Sequence, residues 1–186
     1  MSRLLHFGIR LIISFVVILS SCCNNSIENE IKNFKSQKID LKLDELQLLT
    51  GEIVSSNSKK LKLVVYTDST ECTSCRIFQM YLWNDFLEKT LSVKDSIDVL
   101  FVFNTTDDIN VDVIKDISPY LHGARLYLDS LGTIKNNNEY FPKSNDLHTF
   151  LLDRDNNVIL IGDPIKNVAI EDLYNKVFAQ LFDLKK

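Results

Sequence analysis

The alternation of apolar and polar positions divides the chain into a short apolar leader, a polar stretch, and then a series in which strands and helices alternate. Leu11 to Leu19 is apolar apart from Ser14, and is too short to cross a bilayer as a helix. Asn24 to Lys38 is polar with few apolar positions and reads as a tether with room for a short helix. Ile39-Asp40-Leu41-Lys42-Leu43 alternates and predicts a strand; Glu45 to Thr50 fits helix and strand alike, and Ser55 to Lys60 reads as a loop. Leu63, Val64, Val65 and Tyr66 form a compact β-branched run, too short for a helix. Turn and cap formers fill Thr67 to Glu71, and a helical period opens at the cysteines, with Phe78, Leu82 and Phe86 on one stripe. Ile97 to Phe103 is strongly apolar and predicts a central strand. Thr105-Thr106-Asp107-Asp108 caps a helix with Ile109, Val113, Ile117 and Leu121 inward, its end limited by Pro119. Arg125 to Asp129 is a shorter strand and Asn136 to Asp146 a polar loop. Phe150–Asp153 and Val158–Gly162 form a hairpin that turns at Asp155-Asn156-Asn157. A last helix runs from Ile170 to Leu184, with Leu173, Val177, Phe178, Leu181 and Phe182 inward.

Charge and composition change the picture at the N-terminus. Arg3 and Arg10 give the apolar leader a basic start, the build of a secretory signal. The leader ends Leu19-Ser20-Ser21-Cys22, which resembles the bacterial lipobox. That resemblance implies cleavage before Cys22 and lipidation of its sulfur. An uncleaved anchor and an ordinary signal cut near Ser21 are the alternatives. The resulting divisions are a signal peptide over 1–21, a tether over 22–38 and one domain over 39–186. The chain would be lipid-anchored to a bacterial membrane and face the periplasm. No aspartate follows Cys22, so nothing signals inner-membrane retention, which favours the outer membrane. Losing residues 1–21 removes two arginines and no acid, so the formal charge moves from −4 to −6. An acidic chain without a basic cluster argues against nucleic acid as a partner.

The chemistry lies in Cys72 and Cys75, at the junction between the Leu63–Tyr66 strand run and the helix after it. First-turn N–H groups have no partner inside a helix and carry partial positive charge, so a thiolate there is stabilised. The spacing lets one sulfur reach the other. Cys72, the more exposed member at such a junction, would attack a disulfide or sulfenic acid, and Cys75 would resolve the product. Glu71 opposes thiolate formation and Arg76 favours it. An inert structural disulfide and half of a zinc site remain open as readings. No second Cys-x-x-Cys and no His-x-x-x-His is present to complete a zinc site.

Strand, Cys-x-x-Cys, helix and strand in that order resemble the thioredoxin superfamily. Thr149-Phe150-Leu151-Leu152-Asp153-Arg154-Asp155-Asn156-Asn157-Val158-Ile159 resembles the hairpin motif of its membrane-anchored, thiol-reducing TlpA/ResA-like branch. The resemblance covers Leu61 to the C-terminus. It implies a three-layer α/β/α sandwich with a mixed central sheet, and a thiol–disulfide oxidoreductase acting on periplasmic protein thiols or disulfides. No cofactor is expected. One departure concerns the cis-proline that such enzymes carry just before the strand starting at Thr149, because Leu147 stands at that position. His148 beside it is a candidate proton shuttle to Cys72, or a third copper ligand with the two sulfurs in the manner of Sco-type chaperones. The bland reading is a loop histidine with a local hydrogen bond. A copper-binding chaperone and a non-catalytic interaction module are therefore the competing functions.

Overall fold

A computed structural model of the chain describes residues 26–51, 59–90, 96–106, 109 and 111–182. The leader and Cys22, on which the lipid-anchor expectation rests, lie outside the described residues, as do Asp107 and Asp108.

The apolar runs become strands in one sheet. Its members are β1 (Gln47–Thr50), β2 (Leu61–Thr67), β3 (Ile97–Phe103), β4 (Arg125–Leu128), β5 (Thr149–Leu152) and β6 (Val158–Ile161). They lie in the order β1-β4-β3-β2-β5-β6. β2, β3 and β4 run parallel, while β1, β5 and β6 pair antiparallel with their neighbours. Every residue of β2 and β3 is buried, as expected of parallel strands covered on both faces.

Alternate side chains feed two cores. Leu61, Leu63, Val65, Phe101 and Leu151 face helices α2 (Thr73–Phe78), α3 (Asn84–Thr90), α4 (Val111–Ile117) and α6 (Val168–Leu181). Val64, Tyr66, Val102 and Phe150 face the other layer, made of a helix α1 over residues 26–35, the segment from Ile39 to Leu46, and α5 (Thr133–Asn137). The result is the thioredoxin-like α/β/α sandwich with a mixed sheet.

Several elements differ from the sequence expectation. The alternation of Ile39, Leu41 and Leu43 reports burial and not a strand. All three are buried in the second core, yet among the described residues the segment's β-bridge pairing is the isolated bridge between Lys38 and Asn157 just before it. Lys42 takes a left-handed φ of 46°, and a 3-10 turn follows over Leu43–Glu45. The expected stripe of Phe78, Leu82 and Phe86 is also corrected. A 3-10 segment, Gln79–Trp83, separates α2 from α3 and changes the period. Ile77, Met80, Trp83 and Phe86 face inward at steps of three, while Phe78 and Leu82 are exposed. In α6, Tyr174 and Phe178 carry the buried face, and Leu173 and Leu181 are exposed. The polar loop expected from Asn136 begins inside α5 and ends in a 3-10 turn, Asn145–Leu147.

The polar stretch before Ile39 does more than connect. Phe34 of α1 is fully buried, with its ring edge-on to Phe141 and Phe150 at 5.7 and 5.0 Å. Residues 26–38 therefore pack on the domain, although their composition is that of a tether. Phe34→Ala is expected to lower the unfolding free energy by about 3–5 kcal/mol in urea denaturation. A residue in a free tether would change it by less than about 0.5 kcal/mol.

Candidate redox site

β2 ends at Thr67, and the chain turns at once. Asp68 accepts the Glu71 N–H on its backbone carbonyl, at 2.9 Å. Its side chain accepts from the Thr70 N–H and hydroxyl at 3.0 and 2.9 Å, an Asx-type turn. This tight loop delivers Cys72 to the N-cap of α2, where its Sγ accepts the Cys75 N–H at 3.3 Å. The Cys72 carbonyl accepts the Arg76 N–H at 3.0 Å, the first bond of the helix. Cys72 and Cys75 are joined in a disulfide with their Cα atoms 5.3 Å apart.

Both cysteines are exposed, so exposure does not single out Cys72. What distinguishes them is the helix position. The N-cap sulfur is the one that receives a backbone N–H, and a negative charge there is stabilised by that donor.

Glu71 and Arg76 offset one another. Arg76 Nε lies 3.4 Å from one Glu71 carboxylate oxygen, and the other oxygen accepts the Asp68 N–H at 3.1 Å. Glu71 is thus a loop-closing carboxylate with its own cation, not an unpaired charge beside Cys72.

Leu147 closes the 3-10 turn, with its N–H donated to Ser144 at 3.0 Å and its side chain buried. Among the described residues no peptide bond is cis. A proline at this position would lose that N–H bond.

His148 follows, and its carbonyl accepts the Tyr66 N–H at 2.9 Å, next to the end of β2. Its ring turns into the second core, 5.5 Å from Tyr66 and 5.1 Å from Phe141, while α2 packs on the first. Nε2 donates to the Pro142 carbonyl at 2.9 Å. Nδ1, the bare nitrogen of that tautomer, has no hydrogen-bond partner among the described residues. Burial pushes the imidazole pKa below its ordinary 6.5, against the pull of the Pro142 carbonyl and the Asp68 and Glu71 charges. Among the described residues no three His, Cys, Asp or Glu side chains are disposed to hold a metal ion. The polar contact the ring makes is the local hydrogen bond to Pro142.

The sequence reading missed three parts of this region. Asp68 is 2% exposed and carries an ion pair with Lys135 Nζ at 2.6 Å. Burial alone would raise its pKa, but the Lys135 and Thr70 donors outweigh it and hold the carboxyl below its ordinary 3.8. The Asp-Ser-Thr run carries an Asx-turn signal, yet nothing local points to Lys135, which is distant in sequence. Tyr66 accepts the Asn104 amide on its hydroxyl at 2.7 Å, and burial raises its pKa. Asp129 caps α5, accepting the Thr133 and Ile134 N–H groups at 2.6 and 3.0 Å. At the opposite end of the sheet, His122 pairs with Asn84 at 3.1 Å and Arg125 with Asp98 at 3.0 Å, away from the cysteines. Trp83 is core and Tyr81 is exposed.

No family model matches the chain, and no curated protein matches it. Solved structures are similar to it at a low level. A thioredoxin-like protein from Aeropyrum pernix is 15% identical, with 85% of this chain and 99% of that chain covered and a TM-score of 0.47. ScoI from Bradyrhizobium japonicum with copper bound is 15% identical over 70% of this chain and 94% of that chain, with a TM-score of 0.47. An uncharacterized thioredoxin-like protein from Porphyromonas gingivalis is 15% identical over 76% and 91%, with a TM-score of 0.47. At this level of likeness the fold rests on the chain's own strand order and register.

The buried, neutral His148 sets an acid limit on stability. The unfolded chain binds a proton near pH 6.5 that the folded chain resists, so its contribution is complete above that pH and is lost as pH falls below it. His148→Phe is expected to flatten the decline of unfolding free energy as pH falls below about 6.5. Cys72 alkylation at neutral pH should be unchanged in this variant. A histidine acting as proton shuttle would instead slow that alkylation when replaced.

Proposed function

We propose that the chain, a thioredoxin-like fold with an exposed Cys72–Cys75 disulfide, is a membrane-anchored periplasmic thiol–disulfide oxidoreductase that works in the reducing direction. The observation that carries this reading is the Cys72 sulfur at the helix N-cap, exposed and accepting a backbone N–H. A structural disulfide has no need of such a place, whereas an attacking thiolate does.

The exchange runs in two displacements. The Cys72 thiolate attacks one sulfur of a partner disulfide, so a mixed disulfide forms and the partner S–S bond breaks. The partner's other sulfur leaves as a thiolate and takes a proton from solvent. The Cys75 thiolate then attacks the Cys72 sulfur, which closes the intramolecular disulfide and frees the partner's second thiolate. Two electrons pass to the partner. A dithiol donor, by the family resemblance a membrane-held reductase, restores Cys72 and Cys75 by the reverse sequence.

Exposure suits a protein partner, since both sulfurs can be reached without opening the fold. The anchor belongs to the same proposal and rests on Leu19-Ser20-Ser21-Cys22, with the domain starting a few residues later at α1.

Mixed disulfides should accumulate in Cys75→Ser and not in Cys72→Ser, as seen on non-reducing gels after acid quench. Equal trapping by both variants would undo the order of attack. A wild type that reduces no disulfide and traps nothing would place the chain among interaction modules. For the anchor, Cys22→Ala should leave the membrane fraction or remain uncleaved. The wild type should stay membrane-bound in high salt, because acyl chains bind by apolar burial and not by charge. A mature-sized Cys22→Ala protein that still sediments with membranes would end the lipid reading.

A further inference from the structure

The loop ahead of Cys72 holds two carboxylates, and each has a cation of its own. The two pairs are built differently. Arg76 lies on the motif helix itself, so its contact with Glu71 comes with the helix. Lys135 comes from α5, 67 residues from Asp68. With five residues, α5 is too short to hold itself together in isolation. It is held by other parts of the fold. Asp129 caps its first turn. The Asn138 side chain accepts the Asp40 N–H at 2.9 Å and donates to the carbonyls of Asp40 and Ile134 at 3.0 and 2.7 Å. This scaffold delivers one ammonium to a carboxylate four positions ahead of Cys72 in a closed turn. Lys135 is itself 43% exposed, so it is not there to fill the core.

We propose that Lys135 is a positioning residue for Cys72, acting through Asp68: it neutralises the loop carboxylate other than the one that Arg76 meets, and so favours the Cys72 thiolate. This rests on the oxidoreductase reading for its biological use, but it concerns the chemistry of the sulfur alone. Among the described residues, four other charged or titratable groups near the loop or along the motif helix are already engaged or neutral. Glu71 and Arg76 offset each other. His148 is held neutral by burial at neutral pH. Lys166, which lines the cleft along the motif helix with Arg76, lies 3.7 Å from Asp163. With Lys135 removed, the Asp68 carboxylate keeps its two Thr70 donors and stays charged, and its field opposes a second negative charge at Cys72.

The test follows alkylation of reduced Cys72 across pH in the full chain carrying Cys75→Ser, read at the Cys72 peptide by mass spectrometry. Lys135→Met should move the Cys72 profile to higher pH and slow alkylation near neutral pH roughly fivefold, the scale of one unit charge whose field is screened as in water. Asp68→Asn should move the profile the other way and speed alkylation, because it leaves the ammonium without its counter-charge. The double variant should return close to the starting protein, and Lys135→Arg should keep its profile. A role confined to structure would slow both single variants, with the double variant no faster. That result overturns the proposal, as does a profile unmoved by either change. If Lys135→Met fails to fold, Asp68→Asn keeps the loop's shape, and an unmoved or upward-shifted profile there overturns the proposal by itself. The measurement needs no partner disulfide. A chain that shows the opposed shifts but reduces no disulfide loses the oxidoreductase reading and keeps this one.

Discussion

The parallel pairing of β2 with β3 is the constraint on which the rest depends. Seven residue pairs run in register from Leu61↔Ile97 to Thr67↔Phe103. Both strands are buried on both faces, so each backbone N–H and C=O has to find its partner within the sheet. A slip by one residue would exchange the two cores, turning Leu63 and Val65 away from the motif helix and Val64 and Tyr66 toward it. The register also fixes where β2 stops. The Asn104 N–H closes the ladder on the Thr67 carbonyl at 2.9 Å, and the next residue of β2's chain is Asp68, already turning toward the cysteines.

The neighbours of this pair bring the remaining parts to the same end of the sheet. β5 pairs with β2 from Lys62↔Leu152 to Val65↔Thr149, which leaves Leu147 and His148 beside the start of the cysteine loop. β4 pairs with β3 up to Phe103↔Leu128, so Asp129 and α5 emerge there too. Lys135 meets Asp68 because two strands of one parallel sheet end at the same level. The opposite end uses the same physics for another purpose. Asp98 on β3 is buried and is met by Arg125 at 3.0 Å and Lys60 at 3.5 Å, an arrangement that keeps a charge inside the fold tolerable.

The departure at Leu147 changes the loop's backbone and not its location. Where a cis-proline would present a free backbone edge, a 3-10 turn uses its own N–H groups internally, from Leu147 to Ser144 and from His148 to Asn145. Phe78 at the end of the motif helix and Tyr81 in the 3-10 segment after it are both turned to solvent. The 3-10 segment produces this outward turn, because a period of three gives the inward face to Ile77, Met80 and Trp83.

Much of the fold was legible in the chain's own pattern. Runs such as Leu63–Tyr66 and Ile97–Phe103 are short, apolar and β-branched, and a segment of that kind has few alternatives to a buried strand. The cysteine pair and its place at a strand-to-helix junction were legible for the same reason, since turn formers and helical period are local signals. Other features depended on what lay across the fold. Ile39, Leu41 and Leu43 alternate, but a strand needs an adjacent edge, and only the assembled sheet decides whether one is free. Phe34 sits in polar sequence and is buried because Phe141 and Phe150 form the far wall of its pocket. The family resemblance sets His148 next to the cysteine loop, yet its ring turns to the opposite face with Tyr66. Asp68 and Lys135 become partners only when parallel strands end at one level. A sequence specifies its local propensities residue by residue, whereas pairing and burial of charge belong to positions that meet only after the sheet has closed.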